Sequence, residues 1–265
     1  MAKIHPTAII DPTAEIHPEA EIGAYATVGA HSKIGRGTVL MAHAQVLDYC
    51  EIGEDNKISP NAVIGGDPQD IGYQGEETWV RIGNRNVLRE FVTVNRATVK
   101  EKRETVIGDD CLLMAYSHVA HDCVIGNRVI LANGTQLAGH VHVADHVVTS
   151  AHVLVHQFVH LGECCFVAPN AGVNSDALPG VVYFGHPAEA RVLNEVGLKR
   201  NGVEGEQFRH LRKAFKAIVK GDKPALEALA EVEKEPWAEE PFIKVFLDGV
   251  RAKAAGTKGR AGSLD

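Results

Sequence analysis

The sequence predicts a mainly β fold, a parallel β-helix, with an α-helical domain at its C-terminal end. Aliphatic residues recur at every sixth position over much of the chain, and turn-forming residues fill the intervals between them. The six-residue period stops near residue 188, where a helical pattern replaces it. Because one coil of a β-helix is too thin to bury its own apolar face, stacked coils must share one continuous aliphatic core.

The first run of the repeat begins near the N-terminus and continues without a break to residue 64. Segments such as IHPTAI and IGAYAT place Gly, Pro or other small residues between the aliphatic positions, as tight turns require. Eleven aliphatic residues keep this register, which is too many to be explained by chance. They are Ile4, Ile10, Ile16, Ile22, Val28, Ile34, Leu40, Val46, Ile52, Ile58 and Ile64.

Two interruptions separate this run from the rest of the repeat. The segment DPQDIGYQGEETW occupies residues 67–79, the period resumes at Ile82, Leu88 and Val94, and KEKRET breaks it again at residues 100–105. A second long run extends from residue 107 to residue 173, and Thr149 is the one member of this run that is not aliphatic. Its other members are Ile107, Leu113, Val119, Ile125, Leu131, Leu137, Val143, Val155, Leu161, Val167 and Val173.

The C-terminal part is expected to form three helices. The segments KPALEALAEVEKE and EPFIKVFLDGVRAKA are typical of helices with proline near their starts. The segment EQFRHLRKAFKAIVK has an apolar stripe of Phe208, Leu211, Phe215 and Ile218 and a basic stripe of Arg209, Arg212, Lys213, Lys216 and Lys220. We therefore predict a β-helix over residues 1–187, a helical domain over 188–254 and a flexible tail over 255–265.

Composition excludes some classes of partner. With 27 basic and 34 acidic residues the net charge is −7, so the chain has no general attraction for nucleic acid or for an anionic membrane. We find no signal peptide and no apolar window of membrane-spanning length, and we expect a cytoplasmic protein. The five cysteines form no C-x-x-C pair, and we expect most of them to be buried as small hydrophobes.

The repeat resembles that of the hexapeptide-repeat proteins. In that family three hexapeptides form one coil of a triangular prism, so residues 18 apart lie above one another. The coils of the family wind left-handed, against the usual right-handed crossover. The resemblance thus implies a left-handed parallel β-helix of hexapeptide repeats.

This stacking brings distant histidines together. With strands about 4.8 Å apart, His118, His121, His140 and His156 would lie within roughly 10 Å of one another along one edge. Clustered imidazoles indicate either acid–base chemistry or a metal such as the zinc of hexapeptide-repeat carbonic anhydrases. The neighbouring Asp122 and Gln157 and the interruption at 67–79 favour recognition of a polar organic substrate.

Several segments carry a closer resemblance. HVAHDCVIGNRVILAN, LAGHVHV, VHQF and NEVGLKRNG resemble the acyl-carrier-protein-dependent UDP-N-acetylglucosamine acyltransferases, which catalyse the first step of lipid A synthesis. The resemblance implies a homotrimer with active sites in the clefts between subunits. It also implies transfer of a 3-hydroxyacyl chain from acyl carrier protein to the 3-position of UDP-N-acetylglucosamine or its 3-amino analogue. No cofactor beyond the acyl carrier protein thioester is implied.

The same resemblance implies roles for individual residues. His121 would be the general base, Asp122 its orienting partner, and the backbone amide of Gly139 the donor to the developing oxyanion. Transfer from a thioester needs no covalent nucleophile, although Cys123 lies close enough to His121 to be an alternative. Substrates would be contacted by Asp70, His118, His140, His156, Gln157, Pro169, Asn194 and Arg200, and no residue is assigned to a metal.

Some of these assignments have simpler alternatives. Asp70 would contact the sugar, or it is a solvated turn residue. Asn194 and Arg200 would hold the nucleotide, Arg200 by charge-assisted bonds to phosphate, or Arg200 is a cation at a helix C-terminus. The basic stripe would dock the acidic carrier protein, or it is a solvated helix face.

The sequence departs from the family pattern at several positions. Gly72 stands where the substrate loop usually has lysine, and Asn95 in TVNRAT replaces the histidine of T-x-H-R-G-T. Val196 and Asn201 stand where Glu and Arg are frequent, which affects the expected nucleotide contacts.

The segment that measures acyl length is also unusual. FVAPNAGV has Pro169 where a glycine can leave the hydrocarbon groove open, and GHPAEA has Pro187 near the far end. A filled groove should accept a shorter chain, so we expect an acyl group shorter than fourteen carbons.

Three other functions remain open at this point. A trimeric zinc carbonic anhydrase and a non-catalytic scaffold are both known uses of the hexapeptide repeat. An N-acylating relative that acts later in the same pathway is the third, although its usual N-terminal extra domain does not occur in this sequence.

Overall fold

The computed structural model describes residues 2–256, and most of them form a three-sided parallel β-helix. Two-residue strands follow one another at six-residue intervals, as the aliphatic period predicts. The strands are β1 (Lys3–Ile4), β2 (Ile9–Ile10), β3 (Glu15–Ile16), β4 (Glu21–Ile22), β5 (Thr27–Val28), β6 (Lys33–Ile34), β7 (Val39–Leu40), β8 (Gln45–Val46), β9 (Cys50–Ile52), β10 (Lys57–Ile58), β11 (Val63–Gly66), β12 (Trp79–Ile82), β13 (Val87–Leu88), β14 (Thr93–Asn95), β15 (Glu104–Ile107), β16 (Leu112–Leu113), β17 (His118–Val119), β18 (Val124–Ile125), β19 (Ile130–Leu131), β20 (Gln136–Leu137), β21 (His142–Val143), β22 (Val148–Thr149), β23 (Leu154–Val155), β24 (His160–Leu161), β25 (Phe166–Val167), β26 (Gly172–Val173), β27 (Val181–Phe184) and β28 (Glu189–Leu193).

The strands form three sheets, one on each side of the prism. Sheet A runs from β1 through every third strand to β25, β27 and β28; sheet B runs from β2 to β26; sheet C runs from β3 to β24. Ile4 pairs in parallel with Ile22, so the predicted stacking of residues 18 apart is confirmed. The second residue of nearly every strand points into a shared core in which Leu40, Ile58 and Leu113 are fully buried.

The corners of the prism depend on a left-handed backbone conformation. The second residue of most turns has a positive φ and is usually not glycine, as at Tyr116 (63°), Asp122 (61°), His140 (61°) and Phe158 (65°). This conformation costs on the order of 1 kcal/mol for a residue with a Cβ. Stacking of successive coils offsets this cost, and the repeated conformation places equivalent turn residues in columns.

Both interruptions of the repeat lie at the same corner. The turn from sheet B to sheet C, which we call the BC corner, contains residues 67–78 in one coil and residues 96–103 in the next. We call these segments the first and second insertions. In the following three coils the BC corner consists of residues 120–123, 138–141 and 156–159. The predicted histidines therefore lie directly beside the two insertions.

The C-terminal part differs in detail from its prediction. Residues 189–193 form β28, which pairs antiparallel with β27, so the helical pattern expected from about residue 188 begins later. Strand β28 is therefore the last strand of sheet A. The helices are α1 (Glu195–Arg200), α2 (Gly205–Val219), α3 (Ala225–Val232) and α4 (Pro241–Ala255).

Three of the four helices match the predicted segments, which are thereby confirmed. Leu211, Phe215 and Ile218 of the predicted apolar stripe are buried, whereas Phe208 is only partly covered. Ala255 and Gly256, assigned to the tail, instead end and cap α4. Residues 257–265 of the predicted tail lie outside the described residues.

The remaining predictions from composition concern cysteines and membrane spans. All five cysteines are free and buried, which confirms their expected role as small apolar residues. Among residues 2–256, no helix has the length and apolar character needed to cross a bilayer.

Candidate active site

The BC corner brings the predicted catalytic residues into two adjacent columns. His118 pairs with Gln136, which pairs with Leu154, so the three turns that follow these residues are in register. One column therefore contains His121, Gly139 and Gln157, and the next contains Asp122, His140 and Phe158. The stacking predicted for the histidine region is thus confirmed.

His121 and Asp122 form a buried hydrogen-bonded pair. His121 Nδ1 lies 2.8 Å from Asp122 Oδ2, and the two residues are 9% and 2% exposed. Burial by itself would raise the pKa of Asp122, but hydrogen bonds from His121 and Thr98 outweigh it and hold that pKa below its ordinary value. A carboxylate only accepts hydrogen bonds, so Nδ1 of His121 carries a proton and Nε2 is available as a base.

Asp122 is itself held in place by groups from neighbouring segments. Its Oδ2 accepts hydrogen bonds from the Thr98 backbone N–H (3.0 Å) and from Thr98 Oγ1 (2.8 Å), and its backbone N–H donates to Thr105 Oγ1 (2.9 Å). Thr98 belongs to the second insertion. The insertion therefore fixes the carboxylate that orients His121.

Gly139 lies directly beside the imidazole of His121. A Cβ at Gly139 would be 2.5 Å from Cε1 and 2.7 Å from Nε2 of His121, which is closer than real Cβ contacts. The close approach, rather than a positive φ, explains glycine at this position. The Gly139 N–H makes no hydrogen bond to another residue of the described range.

His140 packs against the pair from the other side. Its ring is edge-on to that of His121, with centroids 5.2 Å apart, and it stacks on Phe158 at 4.5 Å. His140 Nδ1 is 2.9 Å from Glu101 Oε1, and Nε2 is 3.8 Å from Asp122 Oδ2. A buried histidine thus lies between two carboxylates.

The other two predicted histidines lie at the edge of this cluster. His118 Nδ1 is 2.8 Å from Thr93 Oγ1, and burial, followed by the charge of His121, lowers the pKa of His118. His156 and Gln157 are exposed one coil further on, where His156 Nδ1 lies 3.2 Å from the Gln157 carbonyl oxygen. They are accessible to a ligand that binds at this corner.

Asp70 joins the first insertion to the second. Lys100 Nζ donates to its carboxylate, as does the Gly72 N–H at 2.7 Å, and these two bonds lower the pKa of Asp70. The charge of His121 lowers it further. Although Gly72 replaces the lysine of the family pattern, a lysine from the second insertion meets the same aspartate.

The second insertion supplies three residues that sequence reasoning missed: Thr98, Lys100 and Glu101. They contact Asp122, Asp70 and His140 respectively. The signal was present as the KEKRET break beside the histidine coil, because insertions in repeat proteins frequently build the binding face.

Asn194, Arg200 and Pro169 lie elsewhere on the prism. Asn194 caps α1 by accepting from the Gly197 N–H (3.1 Å), and its Nδ2 donates to the Cys164 carbonyl (2.9 Å). Cys164 belongs to the turn from sheet C to sheet A, and Arg200 is exposed in the last turn of α1. Pro169 is exposed on the turn from sheet A to sheet B. One chain alone does not bring these residues to the histidines.

The positions that depart from the family pattern have local structural roles or are exposed. Asn95 is buried and its Nδ2 donates to the Asp67 carbonyl at 2.7 Å, which ties β14 to the first insertion. Asn201 caps the end of α1, and Val196 is 62% exposed on that helix.

Cys123 is not suited to be a nucleophile. It is fully buried, its Sγ is 3.2 Å from the Ala138 carbonyl oxygen, and burial raises the pKa of its thiol to about 12. The thiolate, which is the nucleophilic form, is therefore scarce at neutral pH.

Metal binding at this site would have to displace an existing hydrogen-bond network. One ligand atom each from His121, Asp122 and His140 lie within 4.8 Å of one another, so their spacing would suit an ion. However, Asp122 Oδ2 already accepts hydrogen bonds from Thr98 and lies against His121 Nδ1. This bonding favours an oriented base over a metal ligand set.

Three known families match different parts of the chain. Residues 176–259 match the family described as UDP N-acetylglucosamine O-acyltransferase, domain 2. Residues 104–139 match the bacterial transferase hexapeptide family, and residues 4–107 match the GMPPB C-terminal domain. His118, His121 and Gly139 thus fall within the hexapeptide match, which ends one residue before His140.

Curated relatives with the name acyl-[acyl-carrier-protein]–UDP-N-acetylglucosamine O-acyltransferase match most of the chain. The protein from Synechocystis is 43% identical over 214 residues, which are 81% of this chain and 76% of the relative. The protein from Pseudomonas syringae pv. syringae is 42% identical over 201 residues, 76% of this chain and 78% of the relative.

Solved structures agree with these relatives. LpxA from Acinetobacter baumannii has a TM-score of 0.91 at 35% identity and covers 97% of this chain and 98% of its own. UDP-N-acetylglucosamine O-acyltransferase (LpxA) from Moraxella catarrhalis has a TM-score of 0.91 at 36% identity and covers 99% of both chains. They confirm a left-handed parallel β-helix with a C-terminal helical domain. The chain belongs to the UDP-N-acetylglucosamine O-acyltransferase family.

Proposed function

We propose that the protein transfers a 3-hydroxyacyl chain from acyl carrier protein to the 3-position of UDP-N-acetylglucosamine, the first step of lipid A biosynthesis. The observation that carries the proposal is the buried His121–Asp122 pair beside Gly139, in a chain 43% identical to a named acyltransferase. Family membership favours acyl transfer over carbonic anhydrase or scaffold function. It also favours O-acylation over the later N-acylation.

The mechanism requires one base and one oxyanion donor. His121 Nε2 accepts the proton of the sugar hydroxyl as the hydroxyl oxygen attacks the thioester carbonyl carbon. The Gly139 N–H then donates to the negative oxygen of the tetrahedral intermediate. When the C–S bond breaks, the imidazolium returns its proton to the leaving thiolate of the carrier protein, and no other cofactor takes part.

Asp122 supports this cycle without reacting. Its hydrogen bond keeps the proton of neutral His121 on Nδ1 and stabilises the imidazolium while it exists. A lowered pKa keeps the Asp122 carboxylate ionised at neutral pH, so this support is present under working conditions.

The acceptor would bind across the BC corner. Asp70 and His118 would meet the sugar, since the charge of His121 lowers the pKa of both, and His140 would form one wall of the site. His156 and Gln157 are exposed at the next coil, where a bound acyl chain or sugar can reach them. The acceptor atom is a hydroxyl oxygen if the substrate is UDP-N-acetylglucosamine and an amine nitrogen if it is the 3-amino analogue.

Completion of the site requires a second copy of the chain. Asn194 and Arg200 lie near the turn from sheet C to sheet A, whereas His121 lies at the BC corner. A homotrimer with its sites between subunits would bring the two corners together, with Arg200 on the anionic diphosphate.

The trimer leads to a testable expectation. Light scattering should give a mass about three times that of the chain. Mixed trimers of His121→Ala and Arg200→Ala subunits should recover activity that neither variant has alone, because some clefts then contain both native residues. A fully active monomer would contradict the shared site.

The acyl chain would lie on the outer face of sheet B. Pro169 lies on the turn that leads into β26, at the opposite end of this face from Gln157. Pro187 lines a cleft of about 340 Å³ with His156 and Gly172 on the same face. Proline at both places reduces the room for hydrocarbon, so we expect an acyl group shorter than fourteen carbons.

Mass spectrometry of the reaction products tests both the function and the chain length. Purified protein would be incubated with UDP-N-acetylglucosamine and an equal mixture of 3-hydroxyacyl carrier proteins of several lengths. We expect one acylated sugar nucleotide to predominate, with a chain below fourteen carbons. A predominant fourteen-carbon product would contradict the short groove, and no acylated nucleotide would contradict the function.

The carrier protein would dock beside α2. Four cations of β28 and of α2 with its C-cap line a groove of about 620 Å³, together with Phe208, Phe215 and a single acidic residue, Glu195. The cations are Arg191, Arg212, Lys216 and Lys220. Charge complementarity would attract an acidic carrier protein to this groove. A cytoplasmic location is part of this proposal.

A further inference from the structure

We propose that Glu101, a residue of the second insertion, is a positioning residue that holds a proton on His140 Nδ1 and so protects the His121–Asp122 pair. This inference deepens the proposed function and rests on it. Glu101 itself has no contact with His121 or Gly139, the two residues that act directly in the proposed reaction.

The geometry places His140 between two carboxylates. Glu101 Oε1 is 2.9 Å from Nδ1, whereas Asp122 Oδ2 is 3.8 Å from Nε2. The first distance is that of a hydrogen bond and the second is too long for one. His140 is 6% exposed and stacks on Phe158 with an interplanar angle of 11°, so its ring has little freedom to turn.

The Glu101 carboxylate determines which nitrogen carries the proton of neutral His140. A carboxylate accepts but does not donate, so Nδ1 must be the donor. The Nε2 atom that faces Asp122 then has a lone pair and no proton. In this tautomer His140 does not donate to Asp122.

Without Glu101 the preferred tautomer would change. The remaining carboxylate near the ring is Asp122, whose Oδ1 is buried and has no hydrogen-bond partner within residues 2–256. A proton on Nε2 would then be drawn towards the Asp122 carboxylate, whose Oδ2 is 3.8 Å away, and a shift of about 1 Å would bring the two atoms within hydrogen-bond distance. A second imidazole donor on Asp122 would draw this carboxylate from His121 and weaken its support of the imidazolium.

The second insertion holds Glu101 at the site through its neighbours. Thr98 bonds to Asp122 with its N–H and its hydroxyl, and Lys100 pairs with Asp70. Glu101 therefore directly follows a segment that is bonded both to Asp122 and to Asp70. Lys102 is exposed on the same insertion and provides a matched control.

The test combines kinetics with a direct measurement of the tautomer in full-length protein. We expect Glu101→Ala to lower kcat about tenfold with an acceptor KM within about twofold of the wild type. Glu101→Gln keeps an accepting oxygen and should restore kcat to within about threefold, and Lys102→Ala should leave it unchanged. Histidine ¹⁵N NMR should show Nδ1–H at His140 in the wild type and Nε2–H in Glu101→Ala, with the signal identified by its loss in His140→Gln.

Several results would overturn the positioning role. They are an unchanged kcat and tautomer in Glu101→Ala, an equal loss of kcat in Glu101→Ala and Glu101→Gln, or Nε2–H at His140 in the wild type. Failure of the proposed function would look different, since the wild type would then transfer no acyl chain while the NMR comparison would still report on Glu101.

Discussion

His121→Ala is expected to lower kcat by roughly 10²- to 10⁴-fold, the contribution that a positioned general base makes to proton transfer. The expectation follows from the hydrogen bond of His121 Nδ1 to Asp122 Oδ2 at 2.8 Å, which leaves Nε2 as the proton acceptor. The KM for UDP-N-acetylglucosamine should change much less, because the base acts chiefly in the transition state. Steady-state kinetics with a 3-hydroxyacyl carrier protein would measure both quantities.

A matched control separates the loss of the general base from the general effect of replacing a histidine by alanine. His152 is exposed on the turn from sheet A to sheet B, away from the BC corner, and His152→Ala should retain full activity. Thermal unfolding of both variants would show that the β-helix persists. Turnover of His121→Ala within a few-fold of the wild type would remove the base role from His121.

Gly139→Ala should have the second-largest effect, a loss in kcat of roughly 100-fold or more. The new Cβ would lie 2.5 Å from His121 Cε1, so the imidazole must leave its position beside Asp122. The oxyanion donor would shift with the backbone as well. Gly139 does not have a positive φ, and the change therefore acts through this collision rather than through backbone strain.

A double-mutant cycle identifies the collision as the cause. In a His121→Ala background the ring is gone, so adding Gly139→Ala should cost less free energy of unfolding than it costs in the wild type. Chemical denaturation of the four proteins would give this coupling. Equal costs in both backgrounds, or full activity of Gly139→Ala, would show that the two residues do not meet as described.

The regular parts of the fold could be predicted because each repeat unit buries the same positions. Ile58 and Leu113, for example, are fully buried at positions given by the six-residue period alone. Strand β28 was missed because its residues are mostly exposed and follow no repeat, and its pairing with β27 depends on tertiary closure of the sheet. The short helix α1 was not one of the three predicted helices, because only Leu198 in it is buried, although the alternative reading of Arg200 as a helix C-terminal cation implied a helix that ends there.

The site was predictable to the extent that it follows from stacking. His121, Asp122, Gly139 and His140 adjoin because equivalent positions of successive coils must adjoin. The contacts of Lys100 and Glu101 depend on the path of an irregular insertion, for which the sequence provides no period.

The most direct test of the central claim is a crystal structure of the protein with bound UDP-N-acetylglucosamine. The account predicts that the 3-hydroxyl oxygen of the sugar lies about 3 Å from His121 Nε2 at the BC corner. A sugar bound at another corner, or a 3-hydroxyl beyond hydrogen-bond reach of His121 in the complete site, would contradict it.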